Sequence, residues 1–206
     1  TEEELALVDG ATRFAAAAKP DDPHALRGRA AYALATADLN AARTAAEKVL
    51  ALAPKDGLAR LYMASSFLEG NPPLAAREAE SAVASQPALR RSDRVLARAF
   101  ANAGRYGSAM KVLDRRLGNE PGSGSTAWLK AELEVELARY DNARKLFAQA
   151  MAGQGDDVGP RIALGELLLR LGDARGATEA YRPIVEGSRP LPAKYRLAAL
   201  AGLARA

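Results

Sequence analysis

The sequence predicts an all-α protein in which antiparallel helix pairs stack as a solenoid. Three observations carry that expectation. First, one short segment recurs five times: Ala37–Ala42, Gly70–Ala75, Gly104–Ala109, Ala138–Ala143 and Gly172–Ala177. Each opens on a small residue, continues with a polar one and reaches an alanine five positions later. The starts are 33, 34, 34 and 34 residues apart, the length of a repeated helix–turn–helix unit. Second, hydrophobic residues make up 49% of the chain and aromatics only 5%. Alanine is abundant and β-branched residues are sparse, which favours closely approaching helices over strands. Third, proline closes several units, at Pro54, Pro87 and Pro121, with Pro190 one residue late. Proline cannot continue a helix and so resets the chain for the next one.

Each predicted element follows from that repeat. Residues 2–18 read as a leading second helix, a half repeat. Five pairs follow, over 23–36 with 39–53, 56–69 with 72–85, 89–103 with 106–118, 125–138 with 141–152, and 157–171 with 174–187. Within each pair the small residue ends the first helix, where a left-handed backbone turns the chain. The fixed alanine opens the second helix where it crosses the first. Four residues on stand Ala46, Ala79, Leu113, Phe147 and Tyr181, and three further on Val49, Ala82, Arg116, Ala150 and Ile184. That i, i+4, i+7 stripe is the core face of an amphipathic helix. Residues 191–204 read as a trailing first helix. The stretch Pro121–Ser125 is the loosest connection, but the register resumes at once, so it reads as a loop within a single domain over 1–206. The repeats run over about 23–55, 56–89, 90–123, 124–157 and 158–190. The two half-units at the ends suggest a piece of a longer protein.

The array resembles the tetratricopeptide-repeat family. Repeat three carries the most of it: Leu96-Ala97 with Phe100, then Gly104-Arg105-Tyr106, Ala109, Leu113 and Pro121. Repeat five has Leu164-Gly165 with Leu168, Gly172-Asp173, Ala177 and Tyr181. Repeat four has Tyr140–Ala143 and Phe147, with Gly155 where the closing proline belongs. The resemblance covers residue 23 to about 190. It implies a right-handed superhelix with a concave face lined by the first helix of each repeat. It also implies a protein-binding scaffold with no catalytic role and no cofactor, of the kind found in bacterial secretion, pilus or exopolysaccharide-export assemblies.

Carried onto this chain, the family's groove positions fall on His24, Arg27, Ala31 and Leu34, and then on Arg60, Ala64, Phe67 and Leu68. In repeat three they fall on Arg91, Arg94, Arg98 and Asn102. In repeats four and five they fall on Trp128, Glu132, Val135 and Glu136, and on Ile162, Glu166, Leu169 and Arg170. The first half is basic and the second acidic. Guanidinium groups at helical spacing suit bidentate capture of carboxylates, so the expected partner is an acidic peptide anchored by Phe67 and Leu68. A solvated arginine face is the plainer alternative. The family's carboxylate clamp is not expected, because Ala31 stands where it needs asparagine. Trp128 is expected in the core, with Ala131 and Val135.

Other chemistry lacks its residues. One histidine and no cysteine leave a metal site or a nucleophilic triad without parts. His24 sits at a helix start. Gly122–Ser125 lacks the lysine of a phosphate loop, and Asp156-Asp157 suits a helix N-terminus. Twenty-nine basic against 25 acidic residues, a net charge of +4, is mild for this length, and by itself it argues little about nucleic acid. No apolar run is long enough to span a bilayer, and the compartment stays open. Two other classes remain. One is self-assembly through the end helices, since Ala198–Ala201 is apolar; the other is an RNA-binding helical repeat, opposed by the acidic half.

Overall fold

The computed structural model describes residues 22–87, 89, 92–153, 158–187 and 190–206. The predicted leading helix over 2–18 lies outside them. Among the described residues there are eleven helices: α1 Pro23–Ala35, α2 Leu39–Leu52, α3 Gly57–Phe67, α4 Pro72–Ser85, α5 Ser92–Asn102 and α6 Tyr106–Asn119, then α7 Gly124–Glu136, α8 Tyr140–Gly153, α9 Gly159–Arg170, α10 Ala174–Glu186 and α11 Ala193–Arg205. No strand occurs among those residues. The fold is an all-α helical-repeat solenoid. It divides within α6 into two compact units, one reaching Val112 and one starting at Leu113.

Side-chain caps set where the helices start. The Ala41 N–H donates to Asp38, Ala59 N–H to Asp56, Leu74 N–H to Asn71 and Gly176 N–H to Asp173, at 2.8–3.2 Å. Each satisfies one orphan donor of a first turn. Four of the five turns within pairs close alike. After α1, the Asp38 N–H donates to the Ala33 carbonyl at 2.8 Å and the Ala37 N–H to Leu34 at 3.2 Å. The same two bonds recur at Gly104-Arg105, Ala138-Arg139 and Gly172-Asp173. This Schellman closure needs a left-handed residue, and φ is 60° at Ala37, 73° at Gly104, 57° at Ala138 and 76° at Gly172.

Alanine in that region carries a steric cost of about 1–2 kcal/mol, while glycine loses about 0.4–1 kcal/mol more chain entropy on folding. Ala37→Gly and Ala138→Gly are therefore each expected to raise stability by about 0.5–1 kcal/mol. Midpoints of urea unfolding check this; a lower midpoint for either variant would count against it.

The turn after α3 departs from the pattern, because it is one residue shorter. A single bond, Asn71 N–H to the Phe67 carbonyl at 2.9 Å, closes it, and Gly70 is not left-handed. The consequence is a correction to the expected register of repeat two. Phe67 stands four residues before the next N-cap, the same rank in the core ladder as Ala33, Phe100 and Leu168, which stand five before theirs.

Packing follows the sequence stripe. The five fixed alanines, Ala42, Ala75, Ala109, Ala143 and Ala177, are all 0% exposed. In the first unit the next rungs, Ala46, Val49, Ala79 and Ala82, are also 0% exposed. Their small volumes let α2 and α4 lie close to their partners. In the second unit four rungs are large, Leu113, Phe147, Tyr181 and Ile184, each no more than 1% exposed, while Ala150 stays small at 0%. Glycine makes room for them. A methyl group at Gly165 or at Gly202 would collide with the Tyr181 ring. Arg116, in the same register as Val49, breaks the stripe and turns out to pair with Glu120 at 2.7 Å.

Candidate partner-binding surface

The first helix of each repeat carries a small residue that faces its partner helix: Ala30, Ala64, Ala97 and Ala131, all 0% exposed, and buried Gly165. Residues three before and one after that position lie on a different face of the same helix. This column sorts the predicted groove residues.

In the first unit, Arg27, Arg60 and Asn102 are tied into the stack. Arg27 reaches the Asp56 carboxylate at 3.4 Å, and its Nε donates to the Pro23 carbonyl at 3.2 Å. It thus holds the first repeat to the capping residue of the second. Arg60 pairs with Glu78 on α4 at 3.1 Å, and its other terminal nitrogen donates to the Pro54 carbonyl. Asn102 donates through Nδ2 to the Leu68 carbonyl at 2.8 Å, closing the end of α3. Phe67 is half-buried beneath the Arg43 guanidinium, 4.9 Å from its ring centroid. The one-residue register change accounts for Arg60 and Phe67: they belong to the helix-pairing side, and Ala64, expected in the groove, is the buried small residue itself. Arg94 and Arg98, three before and one after Ala97, are exposed on α5. Arg91, also expected there, lies outside the described residues, as do Asp156 and Asp157.

In the second unit, Glu132 is half-buried on α7 and Glu136 is exposed. Glu166 and Arg170 are exposed on α9. Glu132 and Glu166 both follow the small residue by one, so they share a repeat position. Trp128 is half-buried against the Ala131, Ala143, Phe147 and Leu167 cluster. Its ring lies so close over α9 that any side chain at Gly159 would clash with it. The Trp128 indole Nε1 is buried with no hydrogen-bond partner.

Two residues escaped the sequence reading. Glu134 is 5% exposed, in the ladder position that Phe100 and Leu168 fill elsewhere. Among the described residues its Oε2 has no hydrogen-bond partner, and the Arg139 guanidinium lies 3.7 Å away. Column alignment with Phe100 would have found it. Leu197 on α11 is 65% exposed. The step of 34 residues from Ala131 to Gly165 leads on to Ala199, which is 0% exposed, so Leu197, two before it, falls in the column of Leu129.

Among the described residues, no cluster of three or more His, Asp or Glu side chains could hold a metal ion, and no helix is long and apolar enough to cross a membrane.

Neither a family model nor a curated protein sequence matches the chain. Solved structures do. A thermophilic tetratricopeptide-repeat protein of Thermus thermophilus, TTC0263, is 22% identical and superposes with a TM-score of 0.77 over 89% of this chain and 100% of its own. PilW, described as a widely conserved type IV pilus biogenesis factor, is 16% identical, with a TM-score of 0.76 over 97% of this chain and 92% of its own. PilF of Pseudomonas aeruginosa is 17% identical, with a TM-score of 0.69 over 88% and 87%.

Proposed function

We propose that this chain, whose fold is that of the tetratricopeptide-repeat proteins, is a non-catalytic scaffold that binds a peptide or helix of another protein along the exposed faces of its first helices. The observation that carries this reading is the repeated outward column of charged side chains beside a fully buried small-residue column. Arg94 and Arg98 stand in it in the first unit, and Glu136, Glu166 and Arg170 in the second. A helix that spends one face on packing and keeps the other charged and accessible presents a regular ligand-reading surface. On the first unit the reading is an acidic peptide held by Arg94 and Arg98, because guanidinium groups engage carboxylates in forked, charge-assisted bonds. Phe67 drops out as its anchor, since Arg43 already covers the ring. The likeness to PilW supports placing the scaffold in a bacterial multiprotein assembly, with pilus biogenesis, secretion and polysaccharide export as the settings to test.

Arg94→Glu combined with Arg98→Glu is expected to weaken binding of a glutamate-rich probe peptide by at least about tenfold, each lost charged contact being worth some 1.5–3 kcal/mol. Fluorescence anisotropy measures it. Unchanged affinity in the double variant would remove the acidic-peptide reading.

A further inference from the structure

We infer that the cleft between the α7–α8 turn and the end of α9 is a second binding site, for an apolar amino-acid unit held at both its carboxylate and its nitrogen. The cleft lies within the second unit and is built mainly from turn residues, not from the first-helix column. It therefore stands independently of the peptide-binding reading above.

The cleft has a volume of about 410 Å³ and is lined by Ala138, Arg139, Tyr140, Asp141, Asn142 and Leu171. Small-ligand sites run from about 300 to 1,000 Å³. Its walls differ in chemistry. Leu171, 43% exposed, and half-buried Tyr140 supply an apolar side. Arg139 supplies a guanidinium, and exposed Asp141, two residues on, a carboxylate. The Asn142 amide can donate and accept beside them. A cation and an anion next to an apolar wall match a ligand that carries the opposite pair on one carbon atom. Its carboxylate takes the arginine fork, its N–H groups face Asp141 and its side chain lies on Leu171.

The second observation is what stands behind Arg139. Glu134 is 5% exposed, and among the described residues its Oε2 has no hydrogen-bond partner, yet it lies 3.7 Å from the Arg139 Nη1. At the same rank in other turns the cap residue serves the fold. Asp38 and Asp173 accept the N–H groups of Ala41 and Gly176, and Arg105 covers the Phe100 ring. Arg139 has no acceptor to offer α8, and Glu134 replaces the ring beneath it. The result is a guanidinium drawn by one edge toward a buried charge while its side chain stays 58% exposed. Five N–H donors in one rigid plane are more than Glu134 takes up, so the outer edge is set for a second carboxylate. The guanidinium separates the two. Glu134 is thus a positioning residue for Arg139, and that task accounts for a buried carboxylate where Phe100 and Leu168 stand elsewhere.

The test is calorimetric titration of the full chain with leucine, N-acetylleucine, leucinamide and serine. Leucine is expected to bind with a Kd of about 1 mM or tighter. Leucinamide, without the carboxylate, and serine, without the apolar side chain, are expected to bind at least about tenfold more weakly. N-Acetylleucine stands for the last residue of a chain, because it keeps an N–H for Asp141 but no positive charge. Tighter binding than leucine assigns the cleft to chain ends and weaker binding to the free amino acid; both uphold the site. Arg139→Lys keeps the charge but loses the fork, and it should weaken leucine about tenfold. Asp141→Asn should do the same, and with Asp141 exposed its circular dichroism should match the parent. Glu134→Leu tests the positioning: it should weaken leucine about tenfold while raising the urea midpoint, so that lost binding is not lost folding. No binding of leucine or N-acetylleucine overturns the inference, as does equal binding of leucinamide or unchanged affinity in Glu134→Leu. Should leucine fail while a glutamate-rich peptide binds through Arg94 and Arg98, the scaffold reading stands and this one alone fails.

Discussion

Tyr181→Ala is expected to destabilise the second unit by about 3–5 kcal/mol, a large fraction of the stability of a small domain. The side chain is 0% exposed and joins Leu168, Ala177, Ile184 and Ala199 in one cluster. Its ring fills the space that Gly165 leaves on α9 and Gly202 leaves on α11. Alanine there would open a cavity between three helices, and two glycines have no side chains with which to fill it. Tyr181→Phe should do the opposite. The hydroxyl is buried with no hydrogen-bond partner, so its removal should be neutral or gain up to about 1 kcal/mol. The pair separates ring packing from the hydroxyl, and urea unfolding followed by circular dichroism reads both. A pH dependence accompanies it. Burial pushes the Tyr181 phenol above its ordinary value of 10.0, Glu166 adds to the rise, and Arg205 opposes it. A folded-state value above the unfolded one means that the unfolded chain ionises first. Stability is therefore complete below about pH 10 and is lost as pH climbs through the folded value. Tyr181→Phe should flatten that alkaline loss. Equal alkaline sensitivity in parent and variant would show that other tyrosines govern it.

Much of the fold was legible because the turn segment fixes so many bonds at once. A small residue, a polar cap and an alanine determine where one helix stops, where the next starts and which face of it is buried. The same segment concealed the shorter turn of repeat two, since Gly70 looks like Gly104 and only the count from Phe67 to Asn71 tells them apart. The binding face was less legible, for a physical reason. Whether an arginine is available depends on distant partners. Arg27 meets Asp56, Arg60 meets Glu78 and Asn102 meets Leu68, across separations of 29, 18 and 34 residues. Helical spacing finds the face on which such a residue sits, but its partner comes from another helix, in the same repeat for Arg60 and in a neighbouring repeat for Arg27 and Asn102. Arg94, Arg98, Glu136, Glu166 and Arg170 are exposed.

Glu134→Leu is expected to stabilise the second unit by about 1–4 kcal/mol, although it removes half of an ion pair. The desolvation argument decides the sign. Glu134 is 5% exposed, so its carboxylate has lost nearly all its water, and Oε2 recovers no hydrogen bond. Arg139 stands at 3.7 Å and is 58% exposed on its side, so solvent screens much of the attraction that would offset the cost. The repeat itself shows what the position accepts: Phe100 and Leu168 occupy the same rung, 5% and 4% exposed. It also shows what the following cap does there. Arg105 lies 4.3 Å over the Phe100 ring, so Arg139 would have an apolar neighbour to cover after the change, much as Arg105 has. Removing Arg139 instead should destabilise the parent, because the buried carboxylate would then be uncompensated, while in the Glu134→Leu background the same removal should have little effect. A double-mutant cycle across the two sites measures the difference. If Glu134→Leu lowers the unfolding midpoint and Arg139→Ala costs the same in both backgrounds, desolvation does not govern this site. A gain of the expected size would mean that this turn holds a destabilising charge where its neighbours hold apolar side chains, as happens where a position is constrained by something other than folding.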